Sequence, residues 1–225
     1  YFASTETTGW FNQVGETAIS GMKSRDENQK SLKLYAHKRF GQKRFNGAMW
    51  PDKPQVEEVK SFILRNGGGN SSSSRINDAV VQKLFGNHLY NIDYQESRPA
   101  ILYINGQYRG EFGLRERSNK DYVEANYHGL EDIETATQDS YLPSSTERKN
   151  TSFSTLYDLY QSKNATYEAL SELMDVENFM NALACELYAM NTDFPTNNVS
   201  MWRGLPSVED AELRKWHWIV KDLDR

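Results

Sequence analysis

Hydrophobic and polar positions change period along the chain. Val14 to Ser20 and Lys30 to Ala36 predict two strands around a turn at Gly21–Asp26; in the second, Leu32 and Leu34 share one face and Lys33 and Tyr35 the other. Residues 61–66, Ser-Phe-Ile-Leu-Arg-Asn, predict a third strand, ended by Gly67-Gly68-Gly69 and the serine run Ser71 to Ser74, a flexible linker by composition. The serine before Arg75 is a natural N-cap for a helix with Ile76, Ala79, Val80 and Leu84 at spacings of three and four. Asn105-Gly106, flanked by Ile101, Tyr103, Tyr108, Phe112 and Leu114, is a type I′ hairpin signal. Residues 131–152 are polar, contain Pro143 and predict a surface excursion or boundary. Beyond them the period turns helical. Asp175 caps a helix whose stripe of Val176, Phe179, Met180, Leu183, Ala184 and Leu187 predicts core. Trp216 to Val220 reads as a buried strand. A strand-rich half followed by a helix-rich half predicts an α+β fold with room for a cleft, and no internal repeat is present.

Composition narrows the class. The 225 residues are 38% hydrophobic and 12% aromatic, enough for a real core, and no apolar run reaches the length of a membrane-spanning helix. A net charge of -5 argues against a general nucleic-acid binder. The basic stretch Lys30, Lys33, Lys38, Arg39, Lys43 and Arg44 contains no acid and reads as a solvated strand edge. The single cysteine, Cys185, lies in an apolar helical pattern as a small core residue, so no intrachain disulfide forms. Tyr1 at the start and the stop just after Asp224 read as a chain cut short at both ends.

Two polar clusters carry candidate chemistry. Asp222 and Asp224 follow the Trp216–Val220 run at i and i+2, so on a continuing strand they would share one side and could hold one hard cation such as Mg²⁺. Asp193 and Asn198 lie five residues apart after a helix. In protein kinases an Asp and an Asn at this spacing accept the substrate hydroxyl proton and hold Mg²⁺, while a strand-end Asp holds the metal that bridges the phosphates. Cations for phosphates are available in Lys30, Lys33, Arg65 and Arg75, and Glu116 after the hairpin could pair with one of them. P-loop, G-x-G-x-x-G, V-A-I-K and H-R-D signatures are absent, as is a G-x-S-x-G elbow. His37, His88, His128 and His217 lack metal-ligand spacing, and His217 reads as a strand side chain. Spacing alone gives a possible Mg–nucleotide site; a D-x-D sugar-nucleotide transferase remains a rival.

The segments Gly21 to Ala36, Lys60 to Gly68, Ile104 to Gly110 and Leu114 to Arg117, then Asp193–Asn198 and the tryptophan-rich strand into Asp222-Leu223-Asp224, occur in the order found in the CotH family of spore-coat kinases. The chain resembles that family from about Gly21 to Asp224. The resemblance implies one atypical protein-kinase-like, two-lobed domain over residues 1–225, with a β-rich N-lobe (1–130) and a helical C-lobe (131–225). It implies ATP- and Mg²⁺- or Mn²⁺-dependent phosphorylation of Ser or Thr in secreted or surface proteins, an extracellular or envelope location and no nucleic-acid partner. Asp193 resembles the catalytic Asp; Asn198 (with Asn197 as competitor), Asp222 and Asp224 resemble metal ligands; Lys33, Arg65 and Glu116 fall among the ATP-binding candidates of the N-lobe. The aromatic-glycine segment that usually follows D-x-D is absent, and Phe194 stands where tryptophan is common. The family also includes attachment proteins, so a non-catalytic surface module of the same fold is the alternative.

Overall fold

The computed structural model describes residues 12–47, 49–68, 71–89, 91–142 and 145–224. Gly69, Pro143 and Arg225, which fall in the loop, boundary and chain-end readings above, lie outside these residues. The fold is α+β. A five-stranded antiparallel sheet contains β1 (Glu16–Ser20), β2 (Ser31–Tyr35), β5 (Ser61–Arg65), β8 (Gln107–Arg115) and β7 (Ser97–Ile104), in that spatial order. Helix α1 (Asn77–His88) connects this sheet to β6 (Asp93–Tyr94) of a second sheet, ordered β6, β11 (His217–Val220), β10 (Ser200–Gly204), β9 (Ile133–Thr137). A short pair, β3 (Phe45–Asn46) with β4 (Glu58–Val59), flanks the first sheet. Helices α2 (Lys120–Asn126), α3 (Thr146–Lys149), α4 (Phe153–Gln161), α5 (Tyr167–Ser171) and α6 (Val176–Tyr188) complete the described chain.

Local chemistry explains the hairpin. Asn105 and Gly106 take φ of 52° and 75°, the double left-handed geometry of a type I′ turn, and they set the register of β7 against β8. Leu32 and Leu34 pack, with Phe62, Leu64, Phe112 and Leu114, on Phe45, Met49, Trp50 and Val56 beneath the first sheet. The second core joins Trp216, Trp218 and Val220 to Phe153, Leu156, Ala182 and Cys185, the cysteine fully buried as its pattern requires. Two buried tryptophans find partners: Trp50 Nε1 donates to the Glu96 carbonyl at 2.9 Å and Trp202 Nε1 to Asp93 at 2.7 Å.

Five expectations are corrected. Helix α1 begins after Ile76, with no side-chain cap, so the serine cap does not form. Its predicted stripe faces outward, with Ile76, Val80 and Leu84 exposed, whereas Asp78 and Gln82 are buried beside Val81 and Phe85. The α6 stripe holds only in part: the Asp175 cap forms on the Asn178 amide and Val176 and Phe179 pack on the second core, but Met180, Ala184 and Leu187 are exposed while Asn178, Ala182, Cys185 and Glu186 are buried. Residues 131–152 are not a mere excursion, because β9 pairs with β10 and buries Ile133 and Ala136. Finally, β11 ends at Val220 and Asp222 takes φ 60°, so the two aspartates do not continue the strand.

Candidate functional site

Arg65, the last residue of β5, is the centre of the charged site. Its guanidinium pairs with Asp222, donates to Asp224 at 3.0 Å and lies 3.7 Å from Asp78. Burial disfavours its charge, but the three carboxylates outweigh that and raise its pKa. Gly68 makes the close approach possible. It holds φ 57°, and a Cβ there would collide with both the Arg65 guanidinium and the Asp224 carboxylate.

Asp78, in the first turn of α1, ties this cluster together. Its Oδ1 accepts from Gln82 at 2.7 Å and from the Leu223 amide at 2.8 Å, and its Oδ2 pairs with Arg115 of β8. The helix thereby fixes the backbone between Asp222 and Asp224. Burial pushes Asp78 up, yet Arg115 and Arg65 prevail and hold its pKa at about 2. Burial raises the pKa of Asp224, with Arg65 opposing. Sequence reading missed Asp78. Its signal is an i, i+4 pair with Gln82 directly after a strand that ends in arginine and a glycine-rich loop.

The second cluster follows α6. Asn197 and Asn198 donate to Asp193 Oδ2 at 3.3 and 3.4 Å. Asn191 couples this loop to the first cluster: its Oδ1 accepts from the Asp193 amide at 3.1 Å, while its Nδ2 donates to Glu186 at 2.7 Å and lies 3.4 Å from the Asp222 carbonyl. Asn198 and Asp222 both adopt left-handed backbone, φ 59° and 60°, a conformation that asparagine and aspartate tolerate and that gathers at functional loops. Lys221, half-buried, has its pKa lowered by burial and donates to Ser200 Oγ at 3.0 Å.

The remaining candidates separate. Lys33 sits on β2 opposite Ile63; burial, then Arg117 and Arg25, lower its pKa, and among the described residues no carboxylate pairs with it. Glu116 is not the partner of Arg65 or Lys33. Its Oε2 binds Lys53 at 2.7 Å and the Glu96 amide at 2.8 Å, and its Oε1 accepts from Asn126 at 2.8 Å. Both members of that pair are buried, and Lys53 is the cation that Glu116 meets. Lys53, far away in sequence, had no local signal. His217 is stacked on Trp202 and lies 3.5 Å from Asp175, a packed strand residue as expected. Among the described residues no set of three His, Cys, Asp or Glu side chains is gathered as a metal cluster. No helix of these residues is long and apolar enough to cross a membrane.

The α+β fold thus gathers three carboxylates on one guanidinium and links them through Asn191 to an Asp–Asn loop. The family model described as CotH kinase protein matches residues 17–225, and the chain belongs to that family. Its class is therefore kinase-like. No curated protein matches the chain.

Proposed function

We propose that the protein is a secreted or envelope-associated kinase that transfers the γ-phosphoryl group of ATP to Ser or Thr of secreted or surface proteins. The observation that carries this is the convergence of Arg65, Asp78, Asp222 and Asp224, with Asn191 linking that cluster to Asp193. A strand cation paired with a helix carboxylate, followed by a strand-end aspartate, reproduces the parts that kinases use to hold phosphates and metal. The first sheet and α1 then form a β-rich lobe, and the α3–α6 region with the second sheet forms its partner, although β6 at 93–94 joins the second sheet from within the first 130 residues.

The residues fit the divalent metal that kinase chemistry requires. Asp222 Oδ1 is buried and held by the ion pair with Arg65, a cation where the metal would sit, and Asn198 uses its amide nitrogen on Asp193. Asn198, Asp222 and Asp224 would hold Mg²⁺ or Mn²⁺, which supplies charge neutralisation at the transferring phosphoryl oxygens. In the reaction, Asp193 orients the target hydroxyl and accepts its proton as the oxygen attacks phosphorus, and the γ-phosphoryl group leaves ADP. Arg65 and Lys33 bind phosphate oxygens; Asp78 keeps Arg65 and the 222–224 backbone in place. Glu116 stays in the ATP-binding set through its pair with Lys53, as the Lys–Glu pair of kinases does.

A non-catalytic binding module is favoured by one observation, that Arg65 already neutralises Asp222 and Asp224. Incubation with γ-labelled ATP and Mg²⁺ or Mn²⁺, with and without a Ser-rich protein, separates the two. The kinase predicts label that disappears in Asp222→Ala while the variant stays folded. Equal label in the variant sinks the assignment, and no label with no ATP-dependent thermal shift leaves the binding module.

A further inference from the structure

The end of α6 is built to hold one asparagine. Met190 takes φ 51°, the left-handed position that glycine usually fills after a helix. Its amide donates to the Leu187 carbonyl at 3.1 Å, and the Asn191 amide donates to the Glu186 carbonyl at 3.0 Å. These are the two bonds of a Schellman ending, and they fold Asn191 back over the last turn of the helix. There its side chain meets the same residue again, Nδ2 donating to Glu186 Oε2 at 2.7 Å. A methionine held left-handed is strained, and backbone strain of this kind gathers at functional sites.

The buried Asn191 amide then joins two segments. Its Oδ1 accepts from the Asp193 amide at 3.1 Å, and its Nδ2 also reaches the Asp222 carbonyl at 3.4 Å. That carbonyl and the Leu223 N–H belong to one peptide group. The N–H goes to Asp78 at 2.8 Å and the carbonyl to Asn191, so α1 and the end of α6 grip the peptide after Asp222 from its two sides. The side chain must accept on one side and donate on the other. An ionised aspartate lacks the donor, and an aliphatic residue lacks both functions.

We infer that Asn191 is a positioning residue. Its planar amide fixes the backbone of Asp193, the candidate base, against that of Asp222, the candidate metal ligand, and Glu186 anchors it to α6. It touches no substrate. The role rests on the kinase reading proposed above, since it matters only if Asp193 and Asp222 act together.

The test sets the 225-residue chain beside Asn191→Ala in phosphoryl transfer from ATP with Mg²⁺ to a Ser-rich protein, and in backbone amide exchange by NMR. The variant should keep its KM for ATP within about threefold while kcat falls about 100-fold, the effect of a misplacement of about 1 Å. Exchange of the Asp193 and Leu223 amides should quicken together, with the amides of β10 unchanged. A residue that only held the fold together would quicken exchange throughout both sheets. Asn191→Asp removes the donor and sets a second carboxylate against Glu186. Adding Glu186→Gln restores that hydrogen bond in the opposite sense and should recover about tenfold of the lost kcat. An active parent with an Asn191→Ala kcat within about twofold overturns the positioning role and leaves the kinase reading intact. Quickened exchange at Asp193 with Leu223 unchanged overturns the coupling, and no recovery in the double variant overturns the anchor. A parent that transfers no phosphoryl group overturns the kinase reading, and with it the part of Asn191 in catalysis.

Discussion

Asp78→Asn tests whether one helix carboxylate organises the site. The substitution removes the charge that Arg115 and Arg65 share, and asparagine can still accept from the Leu223 amide. Asp78 is 4% exposed and Arg115 2%, so little water can replace the lost charge. Breaking a buried pair by removing one partner costs about 3–5 kcal/mol. At about 2–4 °C per kcal/mol for a domain of this size, the unfolding temperature should fall by about 6–20 °C at neutral pH. The pH dependence has a definite sign. The folded pKa of Asp78 lies at about 2, below its ordinary 3.8, so its stabilisation is complete above 3.8 and disappears as pH falls through about 2. Melting curves of the two proteins by circular dichroism from neutral pH downward should therefore converge in that window. In a double-mutant cycle, Asp78→Asn with Arg115→Met should cost less than the sum of the single changes by about 1 kcal/mol or more. A fall under about 2 °C at neutral pH, or additive costs, would refute the idea that Asp78 is the clamp.

Two further outcomes test other parts of the molecule. Burial, with Asp78 and Asp222 nearby, pushes Glu186 up to about 7 against the hydrogen bond from Asn191. Because this folded pKa lies above the ordinary 4.5, its contribution is fully favourable below 4.5 and is lost as pH rises through about 7. Glu186→Gln should thus melt higher than the parent at pH 8 and lose that advantage near pH 4; the reverse order would contradict the burial argument. Gly106→Ala adds a Cβ that meets nothing within 4 Å but must hold φ 75°. It should cost about 1–2 kcal/mol through backbone conformation alone, read as a lower urea midpoint with an unchanged slope.

What the sequence disclosed and what it hid differ by range. The hairpin was legible because two adjacent residues determine it, β2 because a period of two over a few residues decides a strand, and β5 and β11 because a short apolar run decides one. Asp193 and Asn198 were legible for the same reason, since their spacing lies within one loop. The helix faces were misread because period does not fix phase when polar residues point inward. In α1, Ile76, Val80 and Leu84 repeat as regularly as Asp78 and Gln82, and hydrophobicity alone selects the wrong set. Asp78 is affordable inside only because Arg115, 37 residues later, neutralises it, and its hold on the Leu223 amide spans 145 residues. Glu116 was assigned to the wrong cation because Lys53 lies 63 residues before it. Local rules thus failed where distant charges meet, and those are the positions from which the site is built.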